Sequence, residues 1–181
     1  MKDVAEYAKE RINCEYLSAD NYVSVENLLQ NKGGKKQSEH IPTEGNAIAY
    51  SVGDILIGNI RPYLKKIWLA DLNGGTNGDV LVVRSLDTNV VLPEYLYCIL
   101  SSDQFFAYDN SYSKGAKMPR GDKKAVMQYK FYLPSIQRQN DIVSILNRFD
   151  ALCNDISAGL PAEIEARQKQ YEYYRDKLLT F

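Results

Sequence analysis

Four short runs of apolar and β-branched residues occupy the centre of this 181-residue chain. Glycine, asparagine and aspartate separate them, and each run has the length of one strand. The runs are AIAYSV (47–52), DILIGNI (54–60), KKIWLA (65–70) and DVLVVRSL (79–86). Strands this short are stable only when several of them pair and share an apolar face. The centre of the chain therefore predicts a small twisted β-sheet.

Helical patterns lie on both sides of these runs. Residues 3–13, DVAEYAKERIN, place four apolar residues near one face and predict a short helix. Residues 92–110, LPEYLYCILSSDQFFAYDN, predict a longer helix with Pro93 in its first turn. Its inward side chains would be Tyr95, Leu96, Ile99, Leu100 and Phe105. The polar, glycine-rich residues 31–45 predict a long exposed loop, so the fold class is α+β.

The last 46 residues have a different period. From Ile136 apolar residues recur at steps of three and four, and Gly159 and Pro161 separate this pattern from a second one. In the second pattern Ile164, Tyr171 and Leu178 lie seven residues apart, which is typical of a heptad seam. The sequence thus predicts a long C-terminal helical hairpin or coiled coil, with helices of about 30 Å.

Such a hairpin either closes on its own domain or packs against a partner. Little chain remains to cover the second helix, so we expect a partner, and the apolar surface predicts a two-fold homodimer. The predicted dimer interface comprises Phe149, Leu152, Ile156, Ile164, Tyr171, Tyr174 and Leu178.

Composition argues against several functional classes. No apolar run approaches the roughly 18–20 residues of a membrane span. The three cysteines, Cys14, Cys98 and Cys153, are far apart, and His40 is the single histidine, so no metal site is predicted. Neither a phosphate-binding G-x-x-x-x-G-K-[ST] loop nor a G-x-S-x-G elbow is present. We expect a cytoplasmic protein without a catalytic centre of its own.

Positive charge is concentrated locally, although the formal net charge of the chain is −1. Between Ser111 and Lys130 six basic residues accompany one acid. Lys and Arg neutralise phosphates, and Arg and Asn can form paired hydrogen bonds with base edges. Because Pro62 follows Arg61, we expect an extended backbone at Arg61. The predicted DNA-binding residues are Lys35, Lys36, Asn59, Arg61, Tyr63, Lys65, Lys66, Lys114, Lys117, Arg120, Lys123 and Lys124.

Several ordered segments carry a resemblance to a known family. They are GDILIGNIRPYLKKIWLA, GGTNGDVLVVRS, YLYCILSSDQFF, SKGAKMPRGDKKAVMQYKFYLPSIQRQ and GLPAEIEARQKQYEYYRDKLLTF. Together they resemble the specificity subunit of type I restriction–modification systems over nearly the whole chain. The resemblance implies a mixed α/β target-recognition domain that reads half of a bipartite DNA site. A helical region would follow it, setting the spacing and docking the modification subunits.

Members of this family carry two recognition domains and two helical regions, whereas this sequence has one of each. Residues 1–135 would form the recognition domain and residues 136–181 the helical spacer and dimerisation region, which makes a half-length form. Two symmetric copies would read an interrupted palindrome.

The resemblance also implies a division of labour among subunits. This chain would bind double-stranded DNA, hold no cofactor and catalyse nothing. Adenine methylation with S-adenosylmethionine would belong to the modification subunits, and cleavage with ATP and magnesium to the restriction subunits. Two alternatives remain open: a free-standing DNA-binding regulator, and a protein- or ligand-binding module whose basic loops are only solvated.

Overall fold

The fold was analysed in a computed structural model, which describes residues 1–149 and 151. The chain divides into two compact units, Met1–Asn140 and a second that begins at Asp141. The strands of the first unit are β1 (Ala5–Tyr7), β2 (Arg11–Asn13), β3 (Tyr22–Val23), β4 (Asn46–Tyr50), β5 (Ile55–Gly58), β6 (Ile67–Leu69), β7 (Gly74–Thr76) and β8 (Val80–Ser85). Its α-helices are α1 (Pro93–Leu100), α2 (Asp103–Ser111) and α3 (Lys123–Gln128), and residues 136–149 are also helical.

The strands form two four-stranded sheets. One has the order β1-β8-β5-β6 and is antiparallel throughout, with Leu56 opposite Val82 at its centre. The other has the order β2-β4-β7-β3, and only its β3–β7 pair is parallel. Strand β5 is buried along its whole length, which explains its unbroken apolar sequence.

One cluster of buried residues joins the two sheets. It combines Leu56, Trp68 and Val82 of the first sheet with Val23 and Tyr50 of the second. The Tyr50 and Trp68 rings meet edge to face with centroids 5.7 Å apart, and the Tyr50 hydroxyl donates to the Asn21 carbonyl oxygen at 2.8 Å. Both sheets are therefore held by one set of aromatic and aliphatic contacts.

The helices extend this core. Helix α1 contacts β6 and β8, while α2 contacts α1 and the short 3₁₀ helix Pro62–Leu64. Phe105 and Phe106 of α2 are fully buried, and Phe105 meets Tyr129 edge to face at 5.2 Å. The contact between α2 and residues 62–64 supports the turn that carries several of the predicted DNA-binding residues.

The α+β prediction and the four central strands are confirmed, and three local predictions are wrong. Residues 3–13 form β1 and β2 rather than a helix, because Tyr7 pairs with Val83 and Ile12 with Ala47 across two different sheets. The single predicted sheet is two sheets. The helix predicted over 92–110 is broken in two, where Ser102 leaves the helical conformation and caps α2 through the Phe105 amide.

The C-terminal part is only partly described. The helix predicted from Ile136 is present over residues 136–149. Within the described residues, no helix combines the length and apolar character needed to cross a bilayer. Among the predicted interface residues, Phe149 is 61% exposed. Leu152 and Ile156, predicted on the same helix as Phe149, lie outside the described residues, as does the second helix of the predicted hairpin with Ile164, Tyr171, Tyr174 and Leu178.

Candidate nucleic-acid interface

Residues 59–66, which we call the central turn, connect β5 to β6. Pro62 is buried and begins a 3₁₀ helix that ends at Leu64. The residues on either side of this helix, Arg61 and Lys65, both adopt left-handed conformations, with φ of 53° and 50°. The extended conformation predicted for Arg61 is therefore wrong. The tight turn requires these left-handed conformations. Two hydrogen bonds hold the turn: the Leu64 amide donates to Arg61 O and the Lys65 amide to Pro62 O, both at 2.9 Å.

Residues 114–120, the basic hairpin, attach to this turn. Lys114 and Arg120 exchange two backbone hydrogen bonds of 2.9 Å, which closes the hairpin. The Arg61 amide donates to Pro119 O at 2.7 Å, and Arg120 forms a bridge with Ile60. Two basic clusters that are some fifty residues apart in the sequence are therefore joined through their main chains.

The glycine-rich loop, residues 31–45, also attaches to the central turn. Here the amides of Asn31 and Lys32 donate to Leu64 O and Lys65 O, each at 2.9 Å. Asn31 and Lys32 also have positive φ values of 53° and 65°, as the reversal at the start of this loop requires. The three clusters predicted from the sequence thus become neighbours, with the central turn between the other two.

Carboxylates hold several of the predicted cations in place. Lys65 lies 3.0 Å from Asp103, Lys114 lies 3.2 Å from Asp122, and Arg120 lies 3.0 Å from Asp79. Hydrogen bonds from Lys32 and Lys65 hold the pKa of the Asp103 carboxyl below its usual range. These exposed pairs contribute little to stability, but they fix the direction of each side chain.

Three further lysines are held by contacts within the domain. The Lys35 ammonium donates to Asp20 O at 2.8 Å and lies 5.3 Å from the centre of the Trp68 ring. Lys36 lies 3.7 Å from Glu39. The Lys66 ammonium donates to Val25 O at 2.6 Å, and burial lowers its pKa.

A second group of predicted residues has exposed side chains without a hydrogen-bonding or ion-pair partner in residues 1–149. It consists of Arg61, Tyr63, Lys117, Lys123 and Lys124. Asn59 differs from all the others because it is only 5% exposed, and its backbone carbonyl accepts from the Gly121 amide at 3.0 Å. In this structure Asn59 therefore belongs to the interior beneath the hairpin and not to the solvent-facing surface.

A groove of about 460 Å³ opens beside Arg61. The strand β3 side contributes Ser24, the glycine-rich loop contributes His40, and the turn before β8 contributes Asn77 and Asp79. Donors, acceptors and both signs of charge thus line one concavity next to an unpaired guanidinium. This arrangement is suited to forming several hydrogen bonds with a polar ligand. Within residues 1–149 and 151, no cluster of three or more metal-ligating side chains occurs.

A comparison with protein families decides the relationship. The sequence profile of the type I restriction modification DNA specificity domain matches residues 1–166. The chain belongs to this family.

Individual type I specificity subunits are similar to this specificity domain. The chain is 32% identical to the EcoR124I/EcoR124II specificity subunit of Escherichia coli over 164 residues, which are 91% of this chain and 37% of that protein. It is 33% identical to a putative specificity subunit of Haemophilus influenzae over 129 residues, covering 71% of this chain and 32% of that protein.

Solved structures give the same fold. The HsdS subunit of Thermoanaerobacter tengcongensis superposes with a TM-score of 0.61 at 21% identity, over 98% of this chain and 45% of that one. A type I system S subunit from M. genitalium superposes with a TM-score of 0.57 at 16% identity, over 99% and 44%. The chain described here spans less than half the length of each of these relatives.

The polar residues of this groove are not marked by any sequence motif. Ser24, Asn77 and Asp79 lie in turn sequences that indicate only a change of direction. His40, the single histidine, has no neighbouring motif that would assign it to a site. Nothing in the spacing of these residues indicates a shared groove, because they meet only after β3 pairs with β7 and the glycine-rich loop folds back.

Proposed function

We propose that this specificity domain binds double-stranded DNA and reads one half of a bipartite target. The observation that carries the proposal is the continuous surface formed by the basic hairpin, the central turn and the glycine-rich loop. Five polar or charged side chains of this surface and its flank have no partner in residues 1–149, so they are available to a ligand rich in phosphate. Membership of the specificity family supports the same conclusion.

The two kinds of residue suit two kinds of DNA contact. Lys117, Lys123 and Lys124 are exposed on flexible stems and suit phosphates, which position the protein without regard to sequence. Arg61 differs because a hydrogen-bonded turn holds its backbone beside the polar groove. A rigidly placed guanidinium is suited to a paired contact with guanine or to a fixed phosphate. Recognition of bases would then come from Arg61 and the groove. The sequence-independent contacts with phosphates would come from the lysines.

We further propose that the chain works as a non-catalytic half-subunit. One compact unit, Met1–Asn140, carries the whole candidate surface. One recognition unit satisfies half of a bipartite site, so a second copy would supply the other half. Methylation with S-adenosylmethionine and cleavage with ATP and magnesium would remain with modification and restriction subunits that dock on the assembly.

The helix over residues 136–149 supports pairing between copies. Ile145, Leu146 and Phe149 are 48%, 41% and 61% exposed, which leaves an apolar face without a cover in the described residues. We propose that this face continues into the heptad seam and forms a two-fold homodimer. Symmetry would make both copies read the same half-site, and the target would be an interrupted palindrome.

The salt dependence of DNA binding tests the phosphate contacts. Replacing Lys117 and Lys124 with alanine should weaken binding to all sequences and reduce the slope of log K against log salt by about one unit per lost contact. A charge-matched control replaces Lys2 and Lys9, which lie outside the three clusters. An equal change in both double variants would remove the hairpin region from the interface.

Co-expression with a modification subunit tests the wider assignment. We expect co-purification and methylated adenines at one interrupted palindrome, mapped across the host DNA. Sequence-selective DNA binding without co-purification would instead support a free-standing regulator. Failure of the co-purified complex to bind DNA would leave a protein-binding module and overturn the proposal.

A further inference from the structure

Three buried oxygen atoms without a hydrogen-bond partner lie together beneath the basic hairpin. They are Oδ1 of Asn59 and both carboxyl oxygens of Asp109, and among the described residues they form the whole set of such buried atoms. Asp109 is 0% exposed and Asn59 is 5% exposed. Buried polar atoms are almost always paired, so a group of three in one place requires an explanation.

Gly121 packs against two of these oxygens, Oδ1 of Asp109 and Oδ1 of Asn59. A Cβ atom added to Gly121 would lie 2.7 Å from Asp109 Oδ1 and 2.8 Å from Asn59 Oδ1. The Gly121 amide donates to Asn59 O at 3.0 Å, which holds the glycine in this position. Gly121 follows the basic hairpin directly, and Asp122 then caps helix α3. The buried oxygens therefore lie at the junction that fixes both basic segments to the fold.

Within residues 1–149, no cation pairs with the Asp109 carboxyl. The titratable groups that face it are Tyr7 from β1, Tyr108 from its own helix and Asp122 from the start of α3. Burial, and secondarily the charge on Asp122, raise the pKa of the Asp109 carboxyl to about 6. A protonated carboxyl is a donor as well as an acceptor, so one proton would allow Asp109 to donate a hydrogen bond to the neighbouring Asn59 Oδ1.

We propose that Asp109 is a positioning residue for the basic hairpin: a proton shared between its carboxyl and Asn59 Oδ1 fastens Gly121, and DNA binding promotes uptake of this proton. The second half rests on the proposed function. Phosphates bound at the hairpin add negative potential close to Asp109, which favours its neutral form. The ordered hairpin and the protonated carboxyl therefore stabilise each other, and affinity for DNA should depend on pH.

The signs of the two pH effects follow from linkage. An acid whose pKa rises from 3.8 in the unfolded chain to about 6 in the folded chain destabilises the fold as pH rises between these values, and the loss is complete above about pH 7. For DNA binding the relevant quantity is the difference in Asp109 protonation between the free and the DNA-bound protein. One proton taken up on binding weakens affinity by up to about tenfold for each pH unit above about 6.

The Asp109→Asn variant tests both effects in the full-length chain. Its amide keeps the shape, can donate an N–H to Asn59 Oδ1 and carries no charge at any pH. Urea unfolding should show the wild type losing stability relative to this variant from pH 4 to pH 7. Titration of DNA at fixed salt should give equal affinities at pH 5.5 and a tighter variant at pH 8. His40→Gln, assayed in parallel, separates any contribution from the single histidine.

Each outcome is decisive, and one readout needs no variant. Carbon NMR of the wild-type carboxyls should show one buried aspartate titrating near pH 6. Titration below pH 4 would mean that a flipped Asn59 amide or a water donates to an ionised Asp109, and the proton sharing would be overturned. A pH effect on stability without one on DNA affinity would overturn the link to the hairpin. Absence of DNA binding at every pH would reject the proposed function while leaving the stability test intact.

Discussion

Gly121→Ala is the most direct perturbation of the junction between the basic hairpin and the fold. The new methyl group would lie 2.7 and 2.8 Å from two side-chain oxygens, well inside ordinary van der Waals contact. Both oxygens belong to buried side chains, Asp109 and Asn59, so neither can turn into solvent. Over-packing of this kind costs about 1–3 kcal/mol. In a chain of this size, that corresponds to a fall in melting temperature of about 2–4 °C per kcal/mol.

Gly78→Ala provides the matched control. No heavy atom lies within 4 Å of a Cβ at Gly78, and its backbone is not left-handed. This substitution should be neutral or stabilise by up to about 1 kcal/mol, because alanine has less freedom in the unfolded chain. Urea unfolding with an unchanged m-value compares the two variants. Equal stabilities would refute the close packing on which the junction argument depends.

A double-mutant cycle assigns the cost of the methyl group to its neighbour. Truncating Asp109 to alanine removes the carboxyl that the methyl group meets. Asp109→Ala should therefore be less destabilising, or more stabilising, in the Gly121→Ala background than in the wild type, with a coupling energy of about 0.5–3 kcal/mol. The same variants should also be titrated with DNA over a range of salt concentrations. Gly121→Ala alone should give a smaller slope of log K against log salt than the wild type. An unchanged slope would mean that the hairpin keeps its phosphate contacts despite the strain.

Three further substitutions test other parts of the structure. Arg84→Met should cost about 3 kcal/mol in urea unfolding, because Asp54, 3% exposed and 2.7 Å from Arg84, would keep a buried charge without its cation and with only the Ser51 amide as a donor; a cost below 1 kcal/mol would make that pair dispensable. Arg61→Ala should weaken binding to the cognate site by about 1–3 kcal/mol if it contacts a base, and should relax the preference at one position only. Leu178→Asp should convert the proposed dimer to monomers in sedimentation; a wild-type monomer at micromolar concentration would contradict the dimer itself.

The strands that could be predicted are those with their own apolar signal. Strand β5 is buried on both faces and carries continuous aliphatic residues, so DILIGNI identifies it alone. Strand β7, Gly-Gly-Thr, has no such signal, because its glycines are required by close neighbours. A Cβ on Gly75 would meet Ile12 and Leu17 at 2.9 Å, which is a property of the assembled sheet. Sequence patterns of single elements cannot contain that information.

The N-terminal error has a related cause. In residues 3–13, Val4, Tyr7, Ala8 and Ile12 have helical spacing, yet the segment is two three-residue strands that belong to different sheets. Strands this short offer too few residues to display a period of two. Their position is set by long-range pairing, with Tyr7 opposite Val83 and the Tyr7 hydroxyl donating to Lys123 O at 2.9 Å.

The basic clusters of the candidate interface can be identified from the sequence. The sequence does not distinguish the ion-paired basic side chains from the unpaired ones. The sequence places the cations in three clusters, and the structure divides those clusters by their partners. Asp103 holds Lys65 from 38 residues away, and Asp79 holds Arg120 from across the central turn. Partners this distant in sequence carry no local signal, so a count of basic residues cannot distinguish a tethered lysine from an available one.

The difference between ion-paired and unpaired lysines affects how such a domain would bind DNA. A lysine already paired with a carboxylate must exchange that partner for a phosphate, and it releases fewer condensed counterions than an unpaired lysine. The salt slope should then follow the unpaired side chains, Arg61, Lys117, Lys123 and Lys124, and not the full set of predicted cations. The ion pairs of Lys65 with Asp103 and of Arg120 with Asp79 instead restrict where these two cations can point. A nearly neutral chain can therefore keep several unpaired basic side chains on one candidate surface, because some of its acids are paired with other cations.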